Sequence, residues 1–339
     1  MPMTNPIASP TRPATWSRAP RRYPPQADSA SNASRATSRT VTDRHRPTAP
    51  ACGWRAASAL VLRPYTADVV TIAHISDPHV GSPHFVPNML HRVIEEINEL
   101  RPAAVICSGD LTTDGYRQEY QAWLSYAERI SAPLHTIPGN HDSRNVGYLH
   151  FEELIGARNW SVDVEGIRIV GVDSSEPDLN EGMVGRSHYK WIREQFSEPA
   201  DLKIFVLHHH LIPIPGTGRE RSTVMDAGDL LEVLVRSGVN VVLAGHKHVP
   251  YVWRLEDMYL ASAGTCSSLR VRGHTKPCYN VLEIDGGEVT IFRKFPFGER
   301  QQMARVAIAT GTQMQREDEN LVQEPAKVSG SASSPVPGD

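Results

Sequence analysis

The stretch "PLHTIPGNHD", residues 133–142, ends an apolar run in a proline-glycine turn and then places an amide, an imidazole and a carboxylate side by side. The run has the length and composition of a buried strand. Burying Asn140 and His141 at its end without hydrogen-bonding partners would be unfavourable. Their partners must therefore come from other segments of the chain.

The sequence on either side alternates strand-like and helix-like segments. "VVTIAHIS", "AAVICSGD" and "KIFVLHHH" are rich in apolar and β-branched residues, whereas "NMLHRVIEEINEL" has its apolar residues at the spacing of one helix face. Strands that alternate with amphipathic helices are typical of α/β folds with parallel strands. Because strand-like runs continue to residue 295, we expect two sheets packed face to face with helices outside.

Composition divides the 339 residues into three parts. Residues 1–68 are rich in Pro, Ser, Thr and Ala, with ten arginines, no lysine and three acidic residues, which predicts a disordered tail. An organelle transit peptide, a solvated arm and a mis-set translational start remain open for this segment. Residues 69–300 are predicted to form one folded domain. Residues 301–339 are predicted to be a mostly disordered tail with weak helical character from about Gln302.

Charge and cysteine content narrow the classes of function. The whole chain has a net charge of −3, and since residues 1–68 are strongly positive, the remainder carries about ten net negative charges. A polymeric nucleic acid is therefore not favoured as a partner. No apolar stretch approaches the ~18 residues of a membrane helix. Four cysteines without C-x-x-C spacing fit a reducing compartment, here taken as the cytoplasm.

Polar side chains follow five of the strand-like runs, in the segments "ISDPH", "CSGD", "PGNHD", "VLHHH" and "LAGHKH". The residues concerned are Asp77, His79, Asp110, Asn140, His141, His208, His209, His210, His246 and His248. Ligands of open α/β sheets bind at the carboxyl ends of the strands, so these side chains are expected to converge. Carboxylates and imidazoles without cysteine suit divalent metals. Their number favours two ions about 3.5–4 Å apart, bridged by one carboxylate.

Three of these motifs also have a structural explanation when they are taken singly. Asp77 and His79 can be a turn carboxylate beside a packed histidine, and the Gly-Asp pair of "CSGD" is ordinary in turns. His246 and His248 lie on one side of any extended segment. Five such patterns in order, each at the end of its own strand, favour one common site.

The ordered set D-x-H, G-D, G-N-H-D, H and G-H-x-H resembles the calcineurin-like metallophosphoesterase superfamily over about residues 71–285. This resemblance implies a four-layer α/β/β/α sandwich, in which two mixed sheets are flanked by helices. It also implies a first metal ion held by Asp77, His79, Asp110 and His248, and a second held by Asp110, Asn140, His208 and His246. His208 is chosen because the family ligand is the first histidine after the strand, with His209 as the alternative.

The same resemblance implies roles for residues beside the metal ions. His141 matches the family's histidine next to the substrate phosphate, which implies a catalytic role in stabilising charge and protonating the leaving oxygen while a metal-bridging hydroxide attacks. Asp142 is predicted either to orient His141 or to cap the following helix. Arg219 and Arg221, in the loop after the histidine run, are candidate substrate contacts, with solvent exposure as the alternative.

The pairing of "SGDLTTDG" with "GNHD" departs from the superfamily's protein phosphatases, which carry G-D-x-V-D-R-G and G-N-H-E. It looks more like the branch of class III cyclic-nucleotide phosphodiesterases and glycerophosphodiesterases. The predicted function is hydrolysis of a small phosphodiester, favouring a 3′,5′-cyclic nucleotide, with two Mn, Fe or Zn ions. The alternatives are a phosphomonoesterase or nuclease on the same core and a non-catalytic scaffold. The sequence does not decide the oligomeric state, and a homodimer is one of the open alternatives.

Overall fold

Hydrophobic spacing produces three strand-helix units at the start of the folded region. The computed structural model describes residues 69–217, 223–272 and 274–308. The three units consist of β1 (Val70–Ile75), α1 (Pro87–Leu100), β2 (Ala104–Cys107), α2 (Arg117–Ala127), β3 (Leu134–Thr136) and α3 (Gly147–Leu154). In α1 the side chains of Leu90, Val93, Ile94 and Ile97 are buried, because spacings of three and four residues place them on one face. These elements follow the predicted order.

The remaining elements supply the other sheet and extend the first. They are β4 (Trp160–Val164), β5 (Ile167–Gly171), α4 (Arg186–Gln195), β6 (Leu202–Val206), α5 (Ala227–Arg236), β7 (Val241–Ala244), β8 (Tyr251–Leu255), β9 (Met258–Ser262), β10 (Tyr279–Asp285), β11 (Glu288–Lys294) and β12 (Arg300–Ala307). Strands β4 and β5 pair as an antiparallel hairpin. Its two turn residues, Glu165 and Gly166, both have positive φ, which matches the twist of the paired strands.

The strands form two six-stranded mixed sheets. The first sheet has the order β12-β11-β10-β1-β2-β3, and the second has the order β4-β5-β6-β7-β9-β8. Within them β1, β2 and β3 run parallel to one another, as do β5, β6 and β7. Parallel strands end at the same edge of their sheet, so the segments that follow them are brought together.

Three apolar cores account for four layers. Ile106 of the first sheet and Ile204 of the second belong to the core between the sheets. Trp123 belongs to the core that joins α1, α2 and α3 to the outer face of the first sheet, and Leu234 to the core that joins α4 and α5 to the second. Each such buried side chain contributes about 2 kcal/mol of transfer free energy. The predicted α/β/β/α sandwich is confirmed.

One predicted boundary is wrong. The prediction ends the folded domain at residue 300 and gives the residues after Gln302 weak helical character, whereas Arg300–Ala307 forms β12 and pairs antiparallel with β11. This edge strand is mostly exposed and Val306 is its one fully buried residue, so its sequence lacks a clear apolar alternation. The predicted disorder of residues 1–68 and 309–339 concerns parts of the chain outside the described residues.

Candidate metal centre

Five chain segments meet at the carboxyl ends of β1, β2, β3, β6 and β7. Hydrogen bonds join them across the two sheets: His208 Nδ1 donates to Ser108 O at 2.7 Å, and the main-chain amide of His246 lies 3.1 Å from both carboxylate oxygens of Asp77. Left-handed backbone with φ between 49° and 73° occurs at Asp77, His79, Asp110, His246 and His248. Such strained conformations persist where the surroundings hold them, and they are typical of functional sites.

The first group of donor atoms consists of Asp77 Oδ1, His79 Nε2 and His248 Nε2. The Asp77 oxygen lies 3.9 Å from His79 Nε2 and 3.3 Å from His248 Nε2. The two imidazole nitrogens lie 2.9 Å apart. All three side chains are buried, so their donor atoms face one another rather than bulk solvent. This is the arrangement that a cation-binding site requires.

The second group consists of Asp110 Oδ2, Asn140 Oδ1, His208 Nε2 and His246 Nδ1. Asn140 Oδ1 lies 3.2 Å from His208 Nε2 and 3.0 Å from His246 Nδ1. Asp110 Oδ2 lies 3.3 Å from His208 Nε2, and the same oxygen lies 3.5 Å from His79 Nε2 in the first group. Asp110 therefore belongs to both groups.

Main-chain carbonyl groups orient three of the imidazoles. His79 Nδ1 donates to Thr112 O at 3.3 Å, His208 Nδ1 donates to Ser108 O, and His248 Nδ1 donates to the carbonyl oxygen of Arg270. A ring whose Nδ1–H group donates a hydrogen bond in this way presents Nε2 on its other side. Imidazole ligands of metal ions are commonly held like this.

Electrostatics keep the two carboxylates ionised. Burial acts to raise the pKa of Asp77 and Asp110, but the neighbouring His248 and His208 lower each pKa below its ordinary value. Burial lowers the pKa of His79 to about 3, so this ring is neutral. Burial also disfavours the charged form of His208, yet Asp110 raises its pKa to about 9. A cation that binds His208 must therefore displace a proton.

His141 lies beside both groups. Its ring meets that of His79 edge-on, with the centroids 4.7 Å apart, and its main-chain amide donates to Asp110 Oδ1 at 2.9 Å. His141 Nδ1 donates to Thr113 O at 2.5 Å. The Nε2 atom is therefore the ring nitrogen that remains for another partner.

One protein family matches the part of the chain that carries His141 and all the donor residues of both groups. The sequence profile described as calcineurin-like phosphoesterase covers residues 70–250, more than half of the chain. The chain belongs to this family. The family membership predicted from the ordered motifs is confirmed.

Curated relatives of this phosphoesterase are named as phosphodiesterases. A probable cyclic nucleotide phosphodiesterase from Rhodococcus erythropolis is 28% identical over 197 residues, which cover 52% of this chain and 64% of the relative. A cAMP/cGMP dual specificity phosphodiesterase from Mycobacterium tuberculosis is 28% identical over 277 residues, which cover 70% of this chain and 86% of the relative. The chain thus spans less than two thirds of the first relative. Both names support the predicted class, a metal-dependent phosphoric ester hydrolase.

Solved structures share the fold of this phosphoesterase. A purple acid phosphatase from yellow lupin seeds superimposes with a TM-score of 0.58 at 16% sequence identity, covering 71% of this chain and 54% of that chain. This likeness concerns the fold alone.

Among the residues that the structure describes, no helix is both long enough and apolar enough to span a membrane.

Asp142 of the phosphoesterase takes neither of its two predicted local roles. Helix α3 begins at Gly147 with Val146 at its N-cap position, and a main-chain carbonyl orients the ring of His141. Burial and the charge of Asp110 raise the pKa of Asp142 to about 7. Its carboxylate accepts hydrogen bonds from the main-chain amides of Leu111, Thr112 and Gly139. It therefore ties the loop after β2 to the loop after β3.

His209 faces away from both donor groups. Its Nδ1 lies 2.9 Å from Ser174 Oγ, and its Nε2 lies 3.2 Å from the main-chain oxygen of Asn180. Both ring nitrogens thus have partners elsewhere, whereas His208 Nε2 lies among the donor atoms. Of the two histidines, the geometry favours His208 as a ligand.

Two predicted substrate contacts lie outside the described residues, and two residues that the sequence did not predict lie beside the second donor group. Arg219 and Arg221 lie within residues 218–222, outside the described residues, and stay predictions. Arg144 and Asn180 were missed: Asn180 Oδ1 lies 3.0 Å from Arg144 Nη2 and 3.3 Å from Asn140 Nδ2. Arg144 follows the "GNHD" motif closely, which is a signal of proximity. Asn180 belongs to a loop whose sequence shows no pattern.

Two motif glycines allow the strand ends to approach. A Cβ atom at Gly139 would lie 2.2 Å from Asp110 Oδ1, and one at Gly245 would lie 2.5 Å from Asp77 Oδ2. Both distances are far below van der Waals contact. These positions therefore require glycine if the carboxylates are to stay where they are.

Proposed function

We propose that this phosphoesterase is a binuclear, metal-dependent phosphodiesterase that hydrolyses a small phosphodiester, with a 3′,5′-cyclic nucleotide as the favoured substrate. One observation carries the proposal. Asp110 Oδ2 lies 3.5 Å from His79 Nε2 and 3.3 Å from His208 Nε2, so two groups of donor atoms share one carboxylate oxygen. Two cations about 3.5–4 Å apart form the usual clamp for an in-line displacement at phosphorus.

The chemistry of the donor atoms fits two divalent cations. With Asp110 counted in both, each group offers two oxygens and two imidazole nitrogens, a mixture without thiolate that suits Mn, Fe or Zn. Burial of two ionised aspartates is unfavourable unless positive charge balances them. Asp77, His79, Asp110 and His248 would hold the first cation; Asp110, Asn140, His208 and His246 would hold the second.

When bound, the two cations supply Lewis acidity: they lower the pKa of water and neutralise charge on the phosphate. The chain itself handles the proton of the leaving group. Because Thr113 O accepts the Nδ1 proton of His141 at 2.5 Å, a doubly protonated ring can give its Nε2 proton to the leaving oxygen. The ring then stays neutral and remains bonded to Thr113. The bond from the His141 amide to Asp110 Oδ1 fixes its place.

Charge and the named relatives support a small diester. The relatives from R. erythropolis and M. tuberculosis are named for cyclic nucleotide substrates. About ten net negative charges on residues 69–339 oppose binding of a long polyanion. A cyclic nucleotide brings a single phosphate charge to the site, so this repulsion is small.

Parallel assays with added Mn²⁺ test the proposal. We expect hydrolysis of cyclic AMP and of bis(p-nitrophenyl) phosphate to exceed that of p-nitrophenyl phosphate. Asn140→Ala removes one donor atom and is expected to abolish turnover, whereas Leu149→Ala, at an exposed position on α3, serves as the control. Preference for the monoester would identify a phosphomonoesterase. Absence of turnover in the metal-loaded wild type would identify a scaffold. Either result contradicts the proposal.

We further propose that the enzyme works in the cytoplasm. Cys107, Cys266 and Cys278 are buried free thiols, and burial raises the pKa of Cys278 to about 11. Proteins of reducing compartments keep such thiols unpaired. Fractionation of producing cells tests the location, and recovery of the protein outside the cytoplasmic fraction would contradict it.

A further inference from the structure

We propose that Asn180 is a positioning residue that fixes the side-chain amide of Asn140 with its oxygen toward the second donor group. The inference rests on the proposed function, because it takes Asn140 Oδ1 to be a ligand of a cation. Asn180 lies outside all the motifs, in the loop between β5 and α4.

Arg144 determines which end of the Asn180 amide is the oxygen and which is the nitrogen. A guanidinium group only donates hydrogen bonds, and Arg144 Nη2 lies 3.0 Å from the side chain of Asn180. A half turn exchanges the oxygen and nitrogen of an amide, so a partner of fixed polarity decides which atom faces it. The atom of Asn180 that faces Arg144 must therefore be its oxygen.

The same oxygen sets the orientation of Asn140. It lies 3.3 Å from Asn140 Nδ2, and because an amide oxygen only accepts, Asn140 must present its NH₂ group to Asn180. Asn140 Oδ1 then faces the opposite way, 3.2 Å from His208 Nε2 and 3.0 Å from His246 Nδ1. A half turn of Asn140 would replace this oxygen by an NH₂ group, which cannot bind a cation.

The imidazole of His246 does not impose this polarity. Its ring nitrogen donates or accepts according to whether it carries the proton, so His246 can adapt to either end of the Asn140 amide. The donor-only guanidinium of Arg144 has no such freedom. Arg144 therefore fixes the orientation of the Asn180 amide, and Asn180 in turn fixes the orientation of the Asn140 amide. We call these three residues the relay.

Contacts on either side hold the relay in place. The main-chain oxygen of Asn180 accepts from His209 Nε2 at 3.2 Å, which attaches its loop to the residue after His208. Arg144 lies 3.6 Å from Asp114 Oδ1 and donates to Thr113 O at 3.4 Å. Thr113 O is also the carbonyl that orients His141. The relay therefore shares its supports with the proposed proton donor.

The backbone after Arg144 is strained in a way that matches this role. Asn145 and Val146 have φ values of 46° and 59°, and a β-branched residue rarely adopts left-handed backbone. The amide of Gly147 donates to Arg144 O at 2.7 Å, which closes the turn. Strain of this kind clusters at functional sites, and here it lies directly after Arg144.

Titration of the metal-free protein with Mn²⁺, followed by calorimetry, tests the relay. Asn180→Leu keeps the approximate size and removes the acceptor, whereas Asn180→Asp keeps an oxygen that only accepts. The diagnostic quantity is the ratio of the two Mn²⁺ affinities, because added charge acts on both sites. We expect Asn180→Leu to weaken the second ion by about 10–100-fold and Asn180→Asp to retain it. Leu179→Ala, in the same loop and 48% exposed, is the matched control and should match wild type.

Two further measurements keep the test decisive. If Asn180→Leu does not fold, Arg144→Met removes the donor that sets the polarity and should weaken the second ion in the same direction. Unchanged affinities in the folded Leu or Met variant, or an equal loss in Asn180→Leu and Asn180→Asp, would overturn the inference. A wild-type protein that takes up fewer than two Mn²⁺ ions would instead refute the proposed function, so the two failures are distinguishable.

Discussion

At the residue scale, both halves of the site depend on Asp110. Its Oδ2 atom faces His79 and His208, and its Oδ1 atom accepts the amide hydrogen of His141 at 2.9 Å. The side chain is almost completely buried, so no water can take over these contacts without rearrangement. One carboxylate thus connects the two donor groups to the proposed proton donor.

His141→Ala separates proton donation from metal binding. We expect kcat for cyclic AMP to fall by about 10²–10⁴-fold, the usual contribution of general acid catalysis. The loss with bis(p-nitrophenyl) phosphate should be smaller, because p-nitrophenolate leaves without needing a proton. Steady-state kinetics with both substrates and metal analysis of the variant provide the readouts. Equal losses for both substrates, or the loss of one metal ion, would show that His141 has another role.

At the element scale, the site depends on how closely the strand ends of the two sheets approach. Gly245→Ala places a Cβ atom 2.0 Å from Ser76 Oγ and 2.5 Å from Asp77 Oδ2, so either both of these side chains or the end of β7 must move. We expect weaker binding of the first cation, measured by Mn²⁺ titration. Gly228→Ala in α5 has no atom within 4 Å of the added methyl group and should bind as wild type does. Unaltered binding in Gly245→Ala would mean that the strand ends are not closely fitted.

Helix α1 is tied to the first sheet by a buried carboxylate away from the site. Glu96 lies 3.0 Å from Lys294 Nζ and 2.9 Å from Arg92 Nε, and it accepts from Tyr279 Oη at 3.1 Å. Burial acts to raise the pKa of Glu96, but the bonds from Lys294 and Arg92 outweigh it and lower this pKa. The unfolded chain therefore protonates Glu96 more readily than the folded protein does.

This linkage predicts a pH-dependent stability. Glu96→Gln should lower the free energy of unfolding by about 2 kcal/mol at pH 7. Because the folded pKa is the lower one, the advantage of wild type is present above the ordinary pKa of 4.5 and disappears as the pH falls through the folded value. Urea denaturation at several pH values measures it, with exposed Glu99→Gln as the control. A difference that persists in strong acid would show that packing, not charge, is responsible.

Elements with a strong apolar pattern could be predicted from the sequence, and weakly patterned ones could not. Helix α1 was predicted because its buried residues recur at helical spacing. Helix α4 was missed because Tyr189 and Ile192 are its only buried residues. The sequence of strand β12 predicts weak helical character because an exposed edge strand has little burial to give it an apolar alternation. In both cases contacts distant in sequence decide the structure.

The same distinction applies to the site. The donor residues were predictable because their types and order form motifs. The partners of Asp142 and the contact from Asn180 to Asn140 depend on how loops fold against each other, and no local spacing records that.

At the scale of the whole molecule, cations should stabilise the folded state. The donor groups draw on both sheets, so an ion bound there links the two sheets, and the unfolded chain offers no such site. At a free Mn²⁺ concentration of 100 times Kd, each site contributes about 2.7 kcal/mol. Chelation removes both contributions and should therefore lower the melting temperature by about 10–20 °C. Calorimetry with and without chelator measures the shift, which should shrink in Asn140→Ala. Equal melting temperatures would contradict a site shared between the sheets.

Anomalous diffraction at the manganese edge, from crystals grown with Mn²⁺, would show directly whether the site binds two cations. The expected result is two peaks about 3.5–4 Å apart, one contacting Asp77, His79 and His248, the other contacting Asn140, His208 and His246. Asp110 should contact both. A single peak, or two peaks that do not share Asp110, would contradict the binuclear centre.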